Sequence, residues 1–260
     1  MSIRPRLNKY VYEFINYHKR SNVVGIISDT HYPFAKKPDK NGYGHLEFLY
    51  ETFNKFQVNR ILHIGDLIDG AAWNMWETNP EQPSPKKEAE LAQKDIDKLF
   101  KMFPKGDLMM GNHDQLVNRR MLKHCIPKKF YKTFEESWNF PKGWKTHDYL
   151  EIDDVLYLHG TGKSGQNASL SFMQDYRQSV VTGHTHSSGG INYRASYKDL
   201  TFALNVGCLI DTNSIAYNYG KNFSKKPTLG CGIVVDGKHG FFIPMDLGRK
   251  IIYKNSLKSI

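Results

Sequence analysis

The sequence predicts an α/β fold in which two β-sheets pack face to face as a sandwich with helices outside, an αββα arrangement. In the first half of the chain, short apolar segments alternate with helix-like segments, whereas the second half is mostly strand-like. Hydrophobic residues make up 40% of the 260 residues, enough for a packed core. No repeat or linker-like segment divides the chain, so we expect one domain over residues 1–260.

Five segments are predicted to be helices. Leu46, Leu49 and Phe53, for example, share one face of the second of them. The helices are predicted at Leu7–Tyr17, His45–Phe56, Lys86–Met102, Gln115–His124 and Ser169–Arg177. The segments between Ala71 and Pro85 and between Ile126 and Lys145 are expected to be largely irregular, because they are rich in turn residues.

Eight short segments are predicted to be β-strands, because they are apolar and end at Gly, Asn or Asp. The first of them, Val23–Ser28, is apolar throughout and therefore indicates a strand that is buried on both faces. The strands are predicted at Val23–Ser28, Arg60–Ile64, Asp107–Met110, Leu150–Leu158, Ser179–Thr182, Leu200–Val206, Cys231–Asp236 and Gly240–Met245.

The bulk composition excludes several classes of protein. No apolar run approaches the roughly 20 residues that span a bilayer, and the first 20 residues hold five cations without an apolar signal region. We therefore expect neither a signal peptide nor a membrane anchor. The three cysteines, Cys125, Cys208 and Cys231, are far apart, which argues against disulfides or a thiolate zinc site and predicts small buried side chains in a cytoplasmic protein.

The chain is strongly basic, with a net charge of +10 and an isoelectric point near 9.3. Such a charge attracts anions, including nucleic acids and other phosphates. A solvated surface rich in lysine would produce the same balance, so position along the chain has to decide between these interpretations.

Five polar clusters follow predicted strands, and they contain the residues most able to carry chemistry. Ligand sites in α/β sheets form at the carboxyl ends of strands, where the connecting loops converge. The clusters are Asp29-Thr30-His31, Gly65-Asp66-Leu67-Ile68-Asp69, Gly111-Asn112-His113-Asp114, His159-Gly160 and Gly183-His184-Thr185-His186.

The residue types in these clusters predict a site for two divalent cations. Carboxylate, amide and imidazole groups suit hard or borderline ions, and the absence of cysteine disfavours a structural zinc site. The set contains too many ligands for one ion. Two ions about 3.5–4 Å apart would use them all, and such pairs promote in-line displacement at phosphorus.

In order and content, the clusters resemble the signature of the calcineurin-like metallophosphoesterases: D-x-H, G-D-x-x-D, G-N-H-[DE], a single H, and G-H-x-H. The resemblance spans Gly25 to about Gly207. It implies a β-sandwich flanked by helices, in agreement with the fold predicted above. It also implies two divalent cations, with manganese favoured and iron, zinc or nickel as alternatives, and hydrolysis of phosphate esters by a metal-bound hydroxide.

The resemblance also implies individual roles. Asp29, His31 and His186 would hold one metal ion, Asn112, His159 and His184 would hold the other, and Asp66 would bridge the two. His113 matches the catalytic histidine that protonates the leaving group. Asp69 matches the carboxylate that orients this histidine in the phosphoprotein phosphatase branch.

The sequence departs from the phosphoprotein phosphatases at one informative position. Their second motif continues with an arginine that grips phosphate, whereas Gly70 follows here. The third motif ends in Asp114 rather than Glu, which is closer to phosphodiesterases and double-strand-break repair nucleases. No capping domain or coiled coil follows the motifs, so the chain is more similar to compact members of the family such as those encoded by bacteriophages.

The residues after the third motif suggest a substrate. Arg119, Arg120 and Lys123 lie on the predicted basic helix, and we take them as candidate contacts to a nucleic-acid backbone. A solvated helix face is the alternative. Trp73 and Trp76 follow the second motif and could stack on a base, or plug the space under a loop.

We therefore expect a metal-dependent phosphodiesterase or nuclease. The alternatives are a phosphomonoesterase acting on nucleotides or phosphoproteins, and a catalytically silent scaffold that binds metal and a partner.

Overall fold

The computed structural model describes residues 21–73, 80–215 and 224–245. Within them the helices, numbered in chain order, are α1 His45–Lys55, α2 Pro85–Met102, α3 Leu116–Lys123, α4 Phe134–Ser137 and α5 Ala168–Tyr176. Short 3-10 helices form at Ala71–Trp73 and Lys128–Phe130. The predicted helix at Leu7–Tyr17 and the side chain of Trp76 lie outside the described residues.

Eleven strands are present in these residues, and they form two sheets. The strands are β1 Val23–Ile27, β2 Arg60–His63, β3 Gly106–Met109, β4 Trp144–His147, β5 Tyr149–Ile152, β6 Val155–Leu158, β7 Ser179–Thr182, β8 Gly190–Ala195, β9 Leu200–Asn205, β10 Gly230–Val235 and β11 His239–Pro244. The first sheet has the order β11-β10-β1-β2-β3-β4, and the second has the order β5-β6-β7-β9-β8.

Buried residues divide into three layers, which confirms the predicted αββα sandwich. One apolar cluster lies under α1 and α2 and includes Phe48 and Ile96. A second cluster fills the space between the sheets, where Leu62 of β2 and Leu204 of β9 belong to the same group. A third and smaller cluster packs Phe172 of α5 against the outer face of the second sheet.

The directions of the strands bring the polar clusters to one edge. In the first sheet β1, β2, β3 and β4 run parallel. In the second sheet β6, β7 and β9 run parallel. Asp29, Asp66 and Asn112 follow parallel strands of the first sheet, and His159 and His184 follow parallel strands of the second. Carboxyl ends of parallel strands share a sheet edge, so the sandwich gathers these loops.

The strand predictions need correction in two ways. The segment Leu150–Leu158, predicted as one strand, is a hairpin of β5 and β6. Asp153 and Asp154 form its turn with φ values of 52° and 61°, the left-handed conformation that two-residue hairpin turns require. In addition, β4 and β8 were not predicted, because both are edge strands with few buried residues and therefore lack an apolar pattern.

The cysteines were expected to be buried, and one of them is not. Cys208 and Cys231 are buried in the first apolar cluster, but Cys125 is exposed directly after α3. All three are free thiols. No helix in the described part of the chain has the length and apolar character needed to cross a membrane.

A buried histidine near the metal-site loops gives the fold a dependence on pH. His45 donates from Nδ1 to the carbonyl of Lys36 at 2.6 Å and accepts at Nε2 from the hydroxyl of Tyr32 at 2.9 Å. This pattern satisfies the neutral ring. Burial lowers the pKa of His45 to about 4, whereas an unfolded histidine titrates near 6.5.

The fold is therefore expected to lose stability as the pH falls from about 6.5 towards 4, because only the unfolded chain takes up this proton. Relative to His45→Gln, the wild type should lose about 2–3 kcal/mol of unfolding free energy between pH 7 and pH 4.5. Urea denaturation in the presence of a chelator measures this difference at each pH. A difference that stays constant over this range would contradict the assignment.

Candidate metal centre

The predicted metal ligands converge on two adjoining groups at the carboxyl edge of the sandwich. One group contains Asp29, His31 and His186, and the other contains Asp66, His159 and His184. Within each group the ligand atoms lie within 4.8 Å of one another. The six side chains were selected from separate motifs, and the fold brings them together.

In the first group, Asp29 lies between two imidazoles. Its Oδ1 is 3.1 Å from His186 Nε2 and 3.7 Å from His31 Nε2. Its Oδ2 accepts from the backbone N–H of His184 at 2.9 Å and from the hydroxyl of Ser28. One carboxylate oxygen is therefore held by the protein, and the other is directed at the imidazoles.

Asn112 lies beside the second group and adds an amide oxygen to its carboxylate and imidazole ligands. Its Oδ1 lies 3.1 Å from His159 Nε2, and His184 Nδ1 is 3.1 Å from the same nitrogen. Two ligands at right angles on an ion about 2.1 Å from each would be roughly 3.0 Å apart, so this crowding fits a cation site.

Asp66 connects the two groups. Its Oδ1 accepts from the backbone N–H of His113 at 2.8 Å. Its Oδ2 is 3.1 Å from His159 Nε2 and 3.8 Å from His31 Nε2, one imidazole from each group. This geometry fits the bridging role that the sequence predicted.

Four of the predicted ligands have backbones in the left-handed region. The φ values are 50° for Asp29, 48° for His31, 53° for Asp66 and 62° for His184. This conformation is uncommon outside glycine and costs on the order of 1–3 kcal/mol for each residue. Such strain concentrates at functional sites, where the direction of a side chain matters more than local stability.

Glycines allow the motifs to approach each other closely. A Cβ atom added at Gly111 would overlap the Asp66 carboxylate, and one added at Gly183 would overlap the carboxylate of Asp29. Neither position has a positive φ, so close approach is the reason for glycine here.

Burial makes this arrangement costly without cations. Asp29, His31 and Asp66 are at most 1% exposed, and His159 is 3% exposed. Burial alone would raise the pKa of Asp29, but hydrogen bonds from His186 and His31 outweigh it and hold this pKa well below its usual value. Buried carboxylates of this kind require charged partners or metal ions.

Two imidazoles, those of His31 and His159, have raised pKa values and can balance the charge of the carboxylates. Burial opposes protonation of His159, but the Asp66 carboxylate dominates and raises its pKa to about 9. His184, in contrast, has a lowered pKa because of burial and the nearby His159. Bound cations would replace these protons, so the donor set and its charge fit two divalent ions.

Histidine orientation is set by contacts outside the ligand groups. His159 donates from Nδ1 to the carbonyl of Ile64 at 3.0 Å, which leaves Nε2 for a metal. His31 donates from Nδ1 to the carboxylate of Asp69 at 2.9 Å, which likewise leaves its Nε2 for a metal. Such outer partners fix the tautomer of a ligating histidine.

This hydrogen bond to His31 differs from the role predicted for Asp69. Its carboxylate was expected to orient His113, but it binds His31 instead. His113 donates from Nδ1 to the backbone carbonyl of Asp69 at 2.5 Å. Asp69 therefore orients His113 through its backbone carbonyl, because the Asp69 side chain is directed at His31 of the first motif.

His113 lies next to both groups of ligands. Its ring centroid is 4.7 Å from that of His31, and it forms a third group of candidate ligands with His31 and Asp66. Because Nδ1 donates to the carbonyl of Asp69, Nε2 is the ring nitrogen that remains for a ligand or a proton.

The sequence did not single out Asp114 as a contact within the site. This side chain is 3% exposed and accepts from the backbone N–H groups of Gly111 at 2.9 Å and Ile68 at 3.2 Å. It therefore ties the second and third motifs together. The position of Asp114 within the third motif was the only sequence signal for it, and this motif does not show which groups Asp114 contacts.

The predicted substrate contacts lie outside the cluster of ligands. Arg119, Arg120 and Lys123 are on α3, which has no buried residue. Trp73 is partly buried against the core, consistent with the interpretation of a plug under a loop.

Two adjoining groups of candidate metal ligands, joined by one carboxylate at the carboxyl edge of an αββα sandwich, are the arrangement expected of a metal-dependent phosphoesterase. The family model described as calcineurin-like phosphoesterase matches residues 23–188. The chain belongs to this family.

Two solved structures show similarity to this chain. One is a phosphoesterase from E. coli, Yfce, with 14% identity over 81% of this chain and 87% of that chain, and a TM-score of 0.38. The other is a conserved protein from Streptococcus pneumoniae TIGR4 described as a predicted phosphoesterase, with 14% identity over 83% of both chains and a TM-score of 0.32. No curated protein shows a match to this chain.

Proposed function

We propose that this phosphoesterase is a phosphodiesterase that hydrolyses nucleic acid, with two manganese ions as cofactors. The observation that carries the proposal is a cationic helix face that begins beside the metal centre. Arg119, Arg120 and Lys123 lie on this face of α3, and residues 115–134 contain no acidic residue. A charge distribution of this kind is suited to a polymer of phosphates rather than to one phosphate group.

The cationic side chains of α3 share one face of the helix. At 3.6 residues per turn, Arg119, Arg120 and Lys123 fall within an arc of about 100° that also contains Leu116. Leu116 lies against Gly70 of the second motif. The cationic face therefore begins beside the second motif and extends along α3, whose eight residues span roughly 12 Å.

The structure also accounts for the missing phosphate clamp. Gly70 has a φ of 68°, and a Cβ at this position would lie 2.8 Å from both Leu116 Cδ1 and Trp73 Nε1. An arginine here would have a strained backbone and would have to displace the side chain of Leu116 or Trp73. The absence of a clamp for a terminal phosphate favours a diester over a monoester.

The two cations, when bound, would activate a water nucleophile and neutralise charge on the phosphoryl oxygens. The protein supplies the remaining chemistry. Asp66 and the imidazoles fix the ligands, and His113 is placed with Nε2 available to protonate the leaving oxygen. Manganese suits this mixed set of oxygen and nitrogen ligands. The three free thiols are in keeping with a reducing compartment such as the cytoplasm.

Replacing Arg119, Arg120 and Lys123 together by alanine tests the nucleic-acid substrate. We expect weaker binding of single- or double-stranded DNA at all sequences. The slope of log K against log salt should become shallower by about one for each phosphate that the variant no longer neutralises. Turnover of bis-p-nitrophenyl phosphate should fall much less, because this small diester extends only to the metal centre.

A matched control removes the same charge elsewhere. Lys128, Lys129 and Lys132 surround Tyr131, whose hydroxyl donates to Asn118 on the opposite face of α3. Their triple alanine variant should affect DNA binding less. The proposal would fail if wild-type protein showed no salt-dependent affinity for DNA, or if both variants behaved alike. Higher turnover of nucleoside monophosphates than of diesters would favour a phosphomonoesterase.

A further inference from the structure

One fully buried carboxylate lies outside the metal centre and is unused by the chemistry described above. Glu88 is on the first turn of α2 and has 0% exposure. Its two oxygens accept separate hydrogen bonds from the backbone N–H groups of Ala71 at 2.9 Å and Ala72 at 2.8 Å. The side chain therefore grips the main chain immediately after the second motif.

The turn that Glu88 holds is constrained along its whole length. Gly70 has a positive φ and no space for a side chain, and its carbonyl accepts from the N–H of Trp73 at 3.1 Å. Asp69 begins this turn, and its N–H donates to the carbonyl of Tyr32 at 3.1 Å. The path of residues 69–73 is thus determined by contacts with the first motif and with α2.

This path sets the position of the carbonyl that orients His113. His113 donates from Nδ1 to the backbone oxygen of Asp69, and the next residues along the chain are those that Glu88 holds. A backbone carbonyl has no side chain of its own to adjust its direction. A displacement of Ala71 and Ala72 would therefore rotate the peptide on which His113 depends.

We propose that Glu88 is a positioning residue for His113, acting through the turn at residues 69–72. The inference rests on the proposed role of His113 as the group that protonates the leaving oxygen. Its effect is expected on the proton-transfer step, because other metal ligands have supports outside this turn. The carbonyl of Ile64 holds His159, and the backbone N–H of His184 holds Asp29.

A buried carboxyl group at this position lowers the stability of the fold, which argues that Glu88 has a specific role. Burial raises the pKa of Glu88 to about 7, against the opposite effect of the backbone N–H groups of Ala72, Ala71 and Gly70. An apolar residue would pack under the turn without this cost, but it would leave these N–H groups buried without acceptors. Departures from simple packing rules of this kind are expected at functional sites.

The test uses Glu88→Gln, which keeps the size of the side chain but replaces one acceptor oxygen with a donor. Leaving-group dependence separates positioning from general damage, because a good leaving group needs little protonation. On a methyl phosphodiester with a poor aryl leaving group, kcat should fall about 10–100-fold, the usual effect of an outer partner. On the matching p-nitrophenyl diester the fall should be several-fold smaller.

Asp95→Asn is the matched control, because Asp95 is another buried acid on α2 and pairs with Lys37 and Lys98. It should lower stability without changing the leaving-group dependence. The double variant Glu88→Gln/His113→Ala should be no slower on the poor leaving group than His113→Ala alone. Metal content and thermal unfolding are measured for every variant.

Three results would overturn the inference. Glu88→Gln could retain full kcat on the substrate with the poor leaving group. It could lower kcat equally on both substrates. In the double variant, it could add its full effect to that of His113→Ala. If His113→Ala itself shows no leaving-group dependence, the proposed acid role fails and the role of Glu88 fails with it. A normal pattern for His113→Ala with an additive Glu88→Gln effect would overturn the role of Glu88 alone.

Discussion

Asp66→Asn is expected to remove both tight metal binding and hydrolysis. Asp66 is the one ligand in the described residues whose free oxygen faces an imidazole from each group, His31 at 3.8 Å and His159 at 3.1 Å. An amide would remove a full negative charge from between two dications. Metal content should fall from about two ions per chain to one or fewer, and kcat/KM by at least about 10²–10³-fold.

Elemental analysis of protein produced with manganese and never exposed to chelator measures the stoichiometry. The control is Asp107→Asn, because this carboxylate on β3 pairs with Arg60 on β2 and His147 on β4, away from the ligands. Wild type and control should both contain about two ions. A variant at Asp66 that retained both ions and full activity would contradict the bridge, and wild type without metal would contradict the whole centre.

The convergence of the candidate ligands could be predicted from the sequence because their signal is local. Each ligand lies within a short motif that follows an apolar strand, and the parallel order of β1, β2 and β3 brings the motifs together. No detail of side-chain packing is needed for that step. The αββα layers could be predicted from local signals as well, because buried strands and amphipathic helices have distinct sequence periodicities.

The parts that the sequence did not predict depend on contacts that no motif encodes. The Asp69 side chain and its backbone carbonyl are both hydrogen-bond acceptors, and only the geometry shows that the first serves His31 and the second His113. Glu88 lies 16 and 17 residues from its partners, and nothing in its local sequence marks it. The edge strands β4 and β8 were missed because strands with few buried residues lack a burial pattern.

The geometry also divides the site into parts that should respond differently to mutation. Metal ligands are supported by Asp69, Asp114 and the carbonyl of Ile64, whereas His113 depends on one carbonyl. Damage to the first set should reduce the metal content. Damage to the second should slow the chemistry while the metal is retained.

His113→Ala is expected to leave metal content near two ions per chain while kcat falls about 10²–10⁴-fold on substrates with poor leaving groups, the usual contribution of a general acid. The ring forms no part of either main ligand group, and its Nδ1 is committed to the carbonyl of Asp69. The effect should shrink on p-nitrophenyl esters, because p-nitrophenolate departs with little protonation. Steady-state kinetics on a series of aryl diesters measures this dependence, with metal content determined on the same samples. Full activity on the poorest leaving group would exclude the acid role, and a fall in metal content together with activity would make His113 a ligand instead.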